Sequence, residues 1–189
     1  MDQIVNHAAK MRYMSNGQIS VPMILRTVTG GGGGLAATHS QNFEGWYANV
    51  PGLKVVTPSN PYDALGLMRS SFESKDPVIY VEHCLLYSVT GDVPEEYYNV
   101  PLGKSAVCRE GQDVTIVTYS GMVRVCLDAA DKLSEQGIEA EVIDLRSLRP
   151  LDIETSVKSV EKTGRAVVVE ENWKTGGFGA EISSSLQEN

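Results

Sequence analysis

A histidine set between a run of glycines and a helix-start signal is the residue of this chain best placed for proton transfer. Gly30 to Gly34 lead into L-A-A-T-H-S-Q-N, which carries His39. Glycine permits positive φ and close backbone approach, so the chain can turn sharply here and lie against another surface. Thr38 and Gln41 have the T-x-x-Q spacing of a capping box, which predicts a helix from about His39 to Ala48. The positive end of such a helix disfavours an imidazolium in its first turn. The spacing therefore predicts an uncharged His39 able to give or take a proton near pH 7. A plain reading stands beside this one: a flexible loop and a structural histidine. The glycine run lacks the Lys and Ser/Thr that complete a phosphate loop, which excludes a P-loop nucleotide hydrolase.

The elements around His39 follow from periodicity. Ile4, Val5, Ala8 and Met11 share one helical face, so residues 3 to 14 read as a helix stopped at Asn16-Gly17. Val21 to Val28 reads as a strand, as do Leu53 to Thr57 and Val78 to Val81. Asn60-Pro61 is a cap followed by proline at the first helical position. The helix it starts should bury Ala64, Leu67, Met68 and Phe72. Residues 89–102 carry two prolines, acids and no period; they predict a linker between 1–88 and 103–189, or an ordered crossover. In the second half, strands at Val114–Tyr119, Ile138–Leu145 and Ala166–Val169 alternate with helices at Val123–Gln136, Asp152–Glu161 and from Gly179. Val125, Ala129 and Leu133 are the predicted inner face of the first of these helices. Strands alternating with helices predict an α/β protein with doubly wound, mostly parallel sheets. Ligands in such sheets bind beyond the carboxyl ends of the strands. His39 lies at one such end, and Glu170, Glu171 and the GGFGAE turn lie at another.

Bulk properties exclude other classes. The 189 residues carry a net charge of −8 and no Lys/Arg stripe, which argues against nucleic acid. No apolar run approaches the ~20 residues of a membrane span. Cys84, Cys108 and Cys126 are odd in number and lack C-x-x-C spacing; they predict reduced, mostly buried thiols. The chain opens directly on a helical pattern and stops inside another, which predicts a piece of a longer subunit.

Several stretches are specific. NHAAKMRYMSNGQ, ATHSQNFEGWYANVPGLKVVTPSNPYDALGLM, DPVIYVEH, VPLGKS, DLRSLRPLD and EEN with GGFGAEI occur in this order. Together they resemble the beta subunits of the thiamine-diphosphate-dependent first component of 2-oxo acid dehydrogenase complexes. The resemblance covers the whole chain. It implies a transketolase-like pyrimidine-binding domain followed by a transketolase C-terminal domain. It implies oxidative decarboxylation of a 2-oxo acid with reductive acylation of lipoamide, pyruvate being the first choice and acetoin or branched-chain 2-oxo acids the alternatives. Transketolase-like and deoxyxylulose-phosphate-synthase-like enzymes share the domain pair. A non-catalytic fragment that only binds an alpha subunit is the alternative outside catalysis.

The same resemblance implies partners and site residues. An alpha subunit would complete an α2β2 heterotetramer and supply the diphosphate and magnesium site. A lipoyl-bearing dihydrolipoyl acyltransferase core would accept the acyl group. The compartment would be the cytoplasm in a bacterium, and the mitochondrial matrix or plastid in a eukaryote. His39 corresponds to the histidine that faces the active-site channel. The glutamate that hydrogen-bonds the aminopyrimidine would lie upstream of Met1, so no cofactor-binding residue is assigned here. Backbone carbonyls at Met23, Ser71, Phe72, Ser74 and Asp76 match a potassium site. His7 and His83 match no catalytic position and read as structural; Glu44, Trp46 and Tyr47 read as helix packing. The five glycines predict a mobile loop.

Overall fold

The short apolar runs of the first half become strands because each is flanked by a turn residue and is too brief for a helix. A computed structural model describes residues 1–189. A π-type turn over Gln3–Ala8 runs into helix α1, Ala9–Met14, and Asn16 and Gly17 end it at positive φ. Strand β1 is Ile24–Thr29, and helix α2 is only Glu44–Ala48. Strand β2 is Lys54–Val56. Helix α3, Pro61–Phe72, begins as the sequence predicts: the Asn60 side chain accepts the Asp63 N–H at 2.9 Å. Strand β3 is Val78–His83.

The second half holds β4 (Ala106–Arg109), β5 (Val114–Thr118), α4 (Met122–Ser134), β6 (Ala140–Asp144), β7 (Ser147–Arg149), α5 (Ile153–Thr163), β8 (Ala166–Val168) and α6 (Gly179–Glu188). Helix α5 is capped by Asp152 and closed by Gly164 in the left-handed region. The first sheet has the order β1-β3-β2-β7, with β1, β3 and β2 parallel. Its fourth strand, β7, comes from the second half and runs antiparallel to β2. The second sheet has the order β4-β6-β5-β8, parallel except for β4. The α/β architecture of two mostly parallel sheets is as the periodicity predicts; β4 and β7 are additions to it.

Packing locks the two sheets together. One core cluster joins Val55, Ile79 and Val81 of the first sheet to Val117, Tyr119, Leu145 and Ile182 of the second half. Residues 89–102 are an ordered crossover. Val100 is buried against Leu67 and Tyr80, and the Ser70 hydroxyl donates to its carbonyl at 2.6 Å. Two helix faces differ from expectation. Phe72 is 74% exposed, because Gly66, Leu67 and Ser71 form the inner face of α3. In α4 the buried residues are Val123, Cys126 and Ala130. Val125, 53% exposed, and Ala129 line an apolar groove of about 650 Å³ instead. Cys126 is buried, but Cys84 is half-buried and Cys108 exposed; all three are free thiols.

Polar groups also cross between the sheets. Asp144 at the end of β6 is fully buried. It accepts the Ser59 hydroxyl at 2.5 Å and the Arg146 N–H at 2.9 Å, while Arg146 Nη2 reaches Asp63 at 2.8 Å. Burial pushes the Asp144 carboxyl up to about 6; the Ser59 and Arg146 bonds restrain it. The folded chain thus holds a proton that an ordinary aspartate releases near 3.8. That contribution to stability is full below pH 4 and lost as pH rises through 6. It amounts to roughly 3 kcal/mol, about 2 of it between pH 4.5 and 7.5. Urea unfolding of the wild-type chain and Asp144→Asn should therefore diverge by about 2 kcal/mol between those two pH values, in the variant's favour at pH 7.5. A difference independent of pH would contradict this.

Candidate active site

The carboxyl ends of β1, β3, β5 and β8 meet between the two sheets, and the polar residues of the chain gather there. Thr29 ends β1, His83 ends β3, Tyr119 follows β5, and Glu170 and Glu171 follow β8. In-register pairing of β1 with β3 sets Thr29 opposite His83.

The buried centre is a chain of hydrogen bonds around Glu44, which is 3% exposed. The Thr29 hydroxyl lies 2.6 Å from Asn42 Oδ1 and 3.0 Å from Glu44 Oε2. The Tyr119 hydroxyl lies 2.9 Å from Glu170 Oε2 and 3.4 Å from Glu44 Oε1. Two hydroxyl hydrogens thus face one amide oxygen and two carboxyl groups. A proton on Glu44 completes the set, and its carboxyl is shifted in that direction. Burial is the main cause, opposed by the Thr29 and Tyr119 bonds and aided by the charge of Glu170. The same surroundings, burial first, push the Tyr119 hydroxyl up, so it stays protonated.

His83 stands beside this centre. Its Nδ1 accepts the Leu85 N–H at 3.2 Å, so Nε2 carries the ring hydrogen and donates it to Glu171 Oε2 at 2.6 Å. The other oxygen of Glu171 accepts the Gly31 N–H at 2.9 Å. The imidazole is boxed by two glycines. A Cβ on Gly30, whose φ is +107°, would lie 2.6 Å from Nε2; one on Gly121 would lie 2.7 Å from Cδ2. Gly30 closes the first sheet and Gly121 opens α4, so the ring is wedged between the two halves of the chain.

His39 sits in the exposed loop that leaves β1, before α2. The capping box does not form. Gln41 Nε2 donates to the Ala37 carbonyl at 2.8 Å, Ser40 Oγ accepts the Leu35 N–H at 3.0 Å, and α2 begins only at Glu44. The electrostatic reason for an uncharged His39 therefore falls away: no helix end stands beside it. The loop is held at its two ends instead, at Gly31 by Glu171 and at Asn42, whose Oδ1 also accepts the Gly30 N–H at 2.8 Å. His7 lies apart, paired with Asp2 at 3.5 Å on the first helical turn. Trp46 is exposed and tilts against Phe43 at 4.7 Å, with Trp173 next to Phe43.

Glu44, read from the sequence as helix packing, proves to be central. Tyr119 carries no motif, and His83, the last residue of DPVIYVEH, matches no catalytic position. Applying the strand-end rule to β3 and β5 as well as to β1 and β8 was the signal available for both.

The positions matched to potassium come together around the end of α3. The Met23 carbonyl accepts the Val78 N–H, the Ser71 carbonyl the Ser74 N–H, and the Asp76 carbonyl the Ser74 hydroxyl. The Phe72 side chain points away, exposed. Lys54 Nζ lies 3.0 Å from Ser74 Oγ and 3.8 Å from Asp76 Oδ2. An ammonium already supplies positive charge there, so these residues fit a potassium ion only with Lys54 moved aside. The strand-end centre does not fit thiamine diphosphate by itself either. Glu44, Glu170 and Glu171 are engaged by protein groups, and no lysine or arginine pairs with them to meet a diphosphate.

Residues 1–89 match the transketolase pyrimidine-binding domain family, and residues 103–189 the transketolase C-terminal domain family. The chain is 48% identical to the pyruvate dehydrogenase E1 component subunit beta of Staphylococcus epidermidis, over 99% of this chain and 58% of that protein. It is 47% identical to the acetoin:2,6-dichlorophenolindophenol oxidoreductase subunit beta of Cupriavidus necator, over 98% of this chain and 55% of that one. A split-gene transketolase, solved as an inactive beta4 tetramer, superimposes with a TM-score of 0.77 at 27% identity, covering 98% of this chain and 61% of that one. The chain thus spans little more than half the length of the curated relatives it matches. The two halves of the chain thus belong to the transketolase pyrimidine-binding and transketolase C-terminal domain families, in that order, and along almost its whole length the chain is similar to beta subunits of pyruvate dehydrogenase and of an acetoin oxidoreductase.

Proposed function

We propose that this chain provides the beta-subunit part of a 2-oxo acid dehydrogenase first component, with pyruvate as substrate. Near-half identity to pyruvate dehydrogenase E1 beta along almost the whole chain carries the reading. In this reading 1–88 is the pyrimidine-binding unit, 89–102 the connection and 103–189 the C-terminal unit. An alpha subunit completes an α2β2 enzyme and contributes the diphosphate and magnesium side of the thiamine diphosphate site. That cofactor supplies the decarboxylation chemistry when bound. The residues of this chain serve the other side. The strand-end centre fixes the two ends of the loop, and His39 offers an imidazole at the channel mouth. When a lipoyl group on the acyltransferase core accepts the acyl unit, one dithiolane sulfur bonds to the acyl carbon. The other leaves as a thiolate and takes a proton. The acyl unit is oxidised as the disulfide is reduced, and His39 is the proton donor.

Acetoin is the second reading, supported by the 47% identity to an acetoin-oxidising beta subunit. Assaying the α2β2 enzyme with pyruvate, acetoin and branched-chain 2-oxo acids separates the two. Dominant turnover of pyruvate with lipoamide is expected; turnover of acetoin alone would replace it. The chain without its partner should bind thiamine diphosphate weakly or not at all by calorimetry, because its own carboxyls are occupied. Micromolar binding would contradict this.

A further inference from the structure

The bond from Gly31 to Glu171 spans 140 residues of chain and joins the glycine loop to the turn after β8. Gly31 is the second residue of a five-glycine run, where the entropic cost of order is greatest. Gly32 to Gly34 have no side chains with which to hold the loop. Its seat must therefore come from outside the run.

Glu171 meets the requirements of such a seat. Its carboxylate is ordered by a charge-assisted bond from His83 Nε2, and His83 cannot swing away because Gly30 and Gly121 enclose the ring. The Leu85 N–H fixes the ring's tautomer, so Nε2 always presents a hydrogen to Glu171. One carboxylate oxygen is thus satisfied by β3 and the other is left facing the loop backbone. We propose that Glu171 is a positioning residue: with His83 it clamps the Gly31 N–H and so sets the loop that presents His39 across the junction of the two halves. The idea builds on the role given to His39 above, but the clamp can be scored without turnover.

The test uses the assembled α2β2 enzyme with Glu171→Ala and Glu171→Gln. Hydrogen exchange over residues 30–41 should accelerate ~10–100-fold in Glu171→Ala, the range for loss of a charge-assisted hydrogen bond. Strands β3 and β5 should keep their protection. Glu171→Gln keeps one acceptor oxygen for Gly31 but turns its NH2 toward the His83 N–H, so it should restore only part of the protection; should the alanine variant not fold, Glu171→Gln with a ~3–10-fold acceleration serves alone. In steady state kcat for lipoamide acylation should fall ~10-fold or more, with KM for the 2-oxo acid within about threefold, as expected when a group acts through alignment. Unchanged exchange in the loop overturns the clamp. A loosened loop with unchanged acylation keeps the clamp and overturns the role of His39.

Discussion

Replacing His39 by alanine in the assembled α2β2 enzyme is expected to slow acylation of lipoamide by ~100-fold or more. A positioned general acid contributes ~10²–10⁴-fold. The reaction needs a proton at the departing dithiolane sulfur, and an imidazole is the side chain that can deliver one near neutral pH. Two features of the fold support that proposed role for His39. The loop leaves the carboxyl end of β1, where ligands of parallel sheets bind, and its two ends are fixed by Glu171 and by Asn42. Exposure suits the role, since the lipoyl arm must reach the residue from outside. An acceptor that requires no thiolate protonation provides the control. With 2,6-dichlorophenolindophenol as acceptor, the His39→Ala enzyme should keep its rate within about tenfold. Equal losses with dye and lipoamide would point to collapse of the loop rather than loss of an acid, and an unchanged lipoamide rate would return His39 to a structural role.

A second large effect is expected at Gly121. Its φ of −59° is ordinary helical backbone, so alanine there carries no conformational strain and would, if anything, favour the helix. The penalty comes wholly from His83, whose Cδ2, Cγ and Nε2 would lie 2.7 to 2.8 Å from the new methyl. The ring has little room to retreat, because Gly30 also packs closely against it and because movement breaks the bond to Glu171. Overpacking of this kind costs ~1–3 kcal/mol, and the lost charge-assisted bond adds ~1.5–3. We expect Gly121→Ala to destabilise the chain by about 3 kcal/mol in urea unfolding. His83→Ala should cost a comparable amount, by leaving a cavity and an unpaired Glu171. The double variant should cost less than the sum by at least about 1 kcal/mol, since the methyl then occupies space the ring has vacated. Strict additivity would mean that His83 is not confined as described.

Much of the frame was legible along the chain. Asn60-Pro61 and Asp152 mark helix starts, Asn16-Gly17 marks a stop, and the β-branched runs at Val55, Val78 and Val114 mark strands. Each signal is local, so neighbours in sequence are enough to carry it. The His-Ser-Gln phrase and its companions led in the same way to the transketolase-like family. Short edge strands were a different matter. β4 and β7 have four and three residues, and they exist because partners from β6 and β2 complete their hydrogen bonds.

The sites where sequence reasoning failed are instructive. Thr38 and Gln41 have the spacing of a capping box, yet a cap contributes only ~1 kcal/mol. The loop instead satisfies its backbone through Ser40, Gln41 and Glu171. Glu44 sits among aromatic residues in a stretch that reads as an ordinary helix. Only the convergence of β1, α2, β5 and the turn after β8 turns it into a buried carboxyl facing Thr29, Tyr119 and Glu170.

From its residues alone, this chain determined its alternating strands and helices, its caps and its family, since these depend on propensities and motifs that travel with neighbouring residues. The tertiary structure alone decided which strand ends meet, which carboxyl is sealed from water, and that His83 is wedged between Gly30 and Gly121. Those outcomes depend on hydrogen bonds and steric contacts between residues 15 to 140 positions apart, whose partners no local pattern specifies.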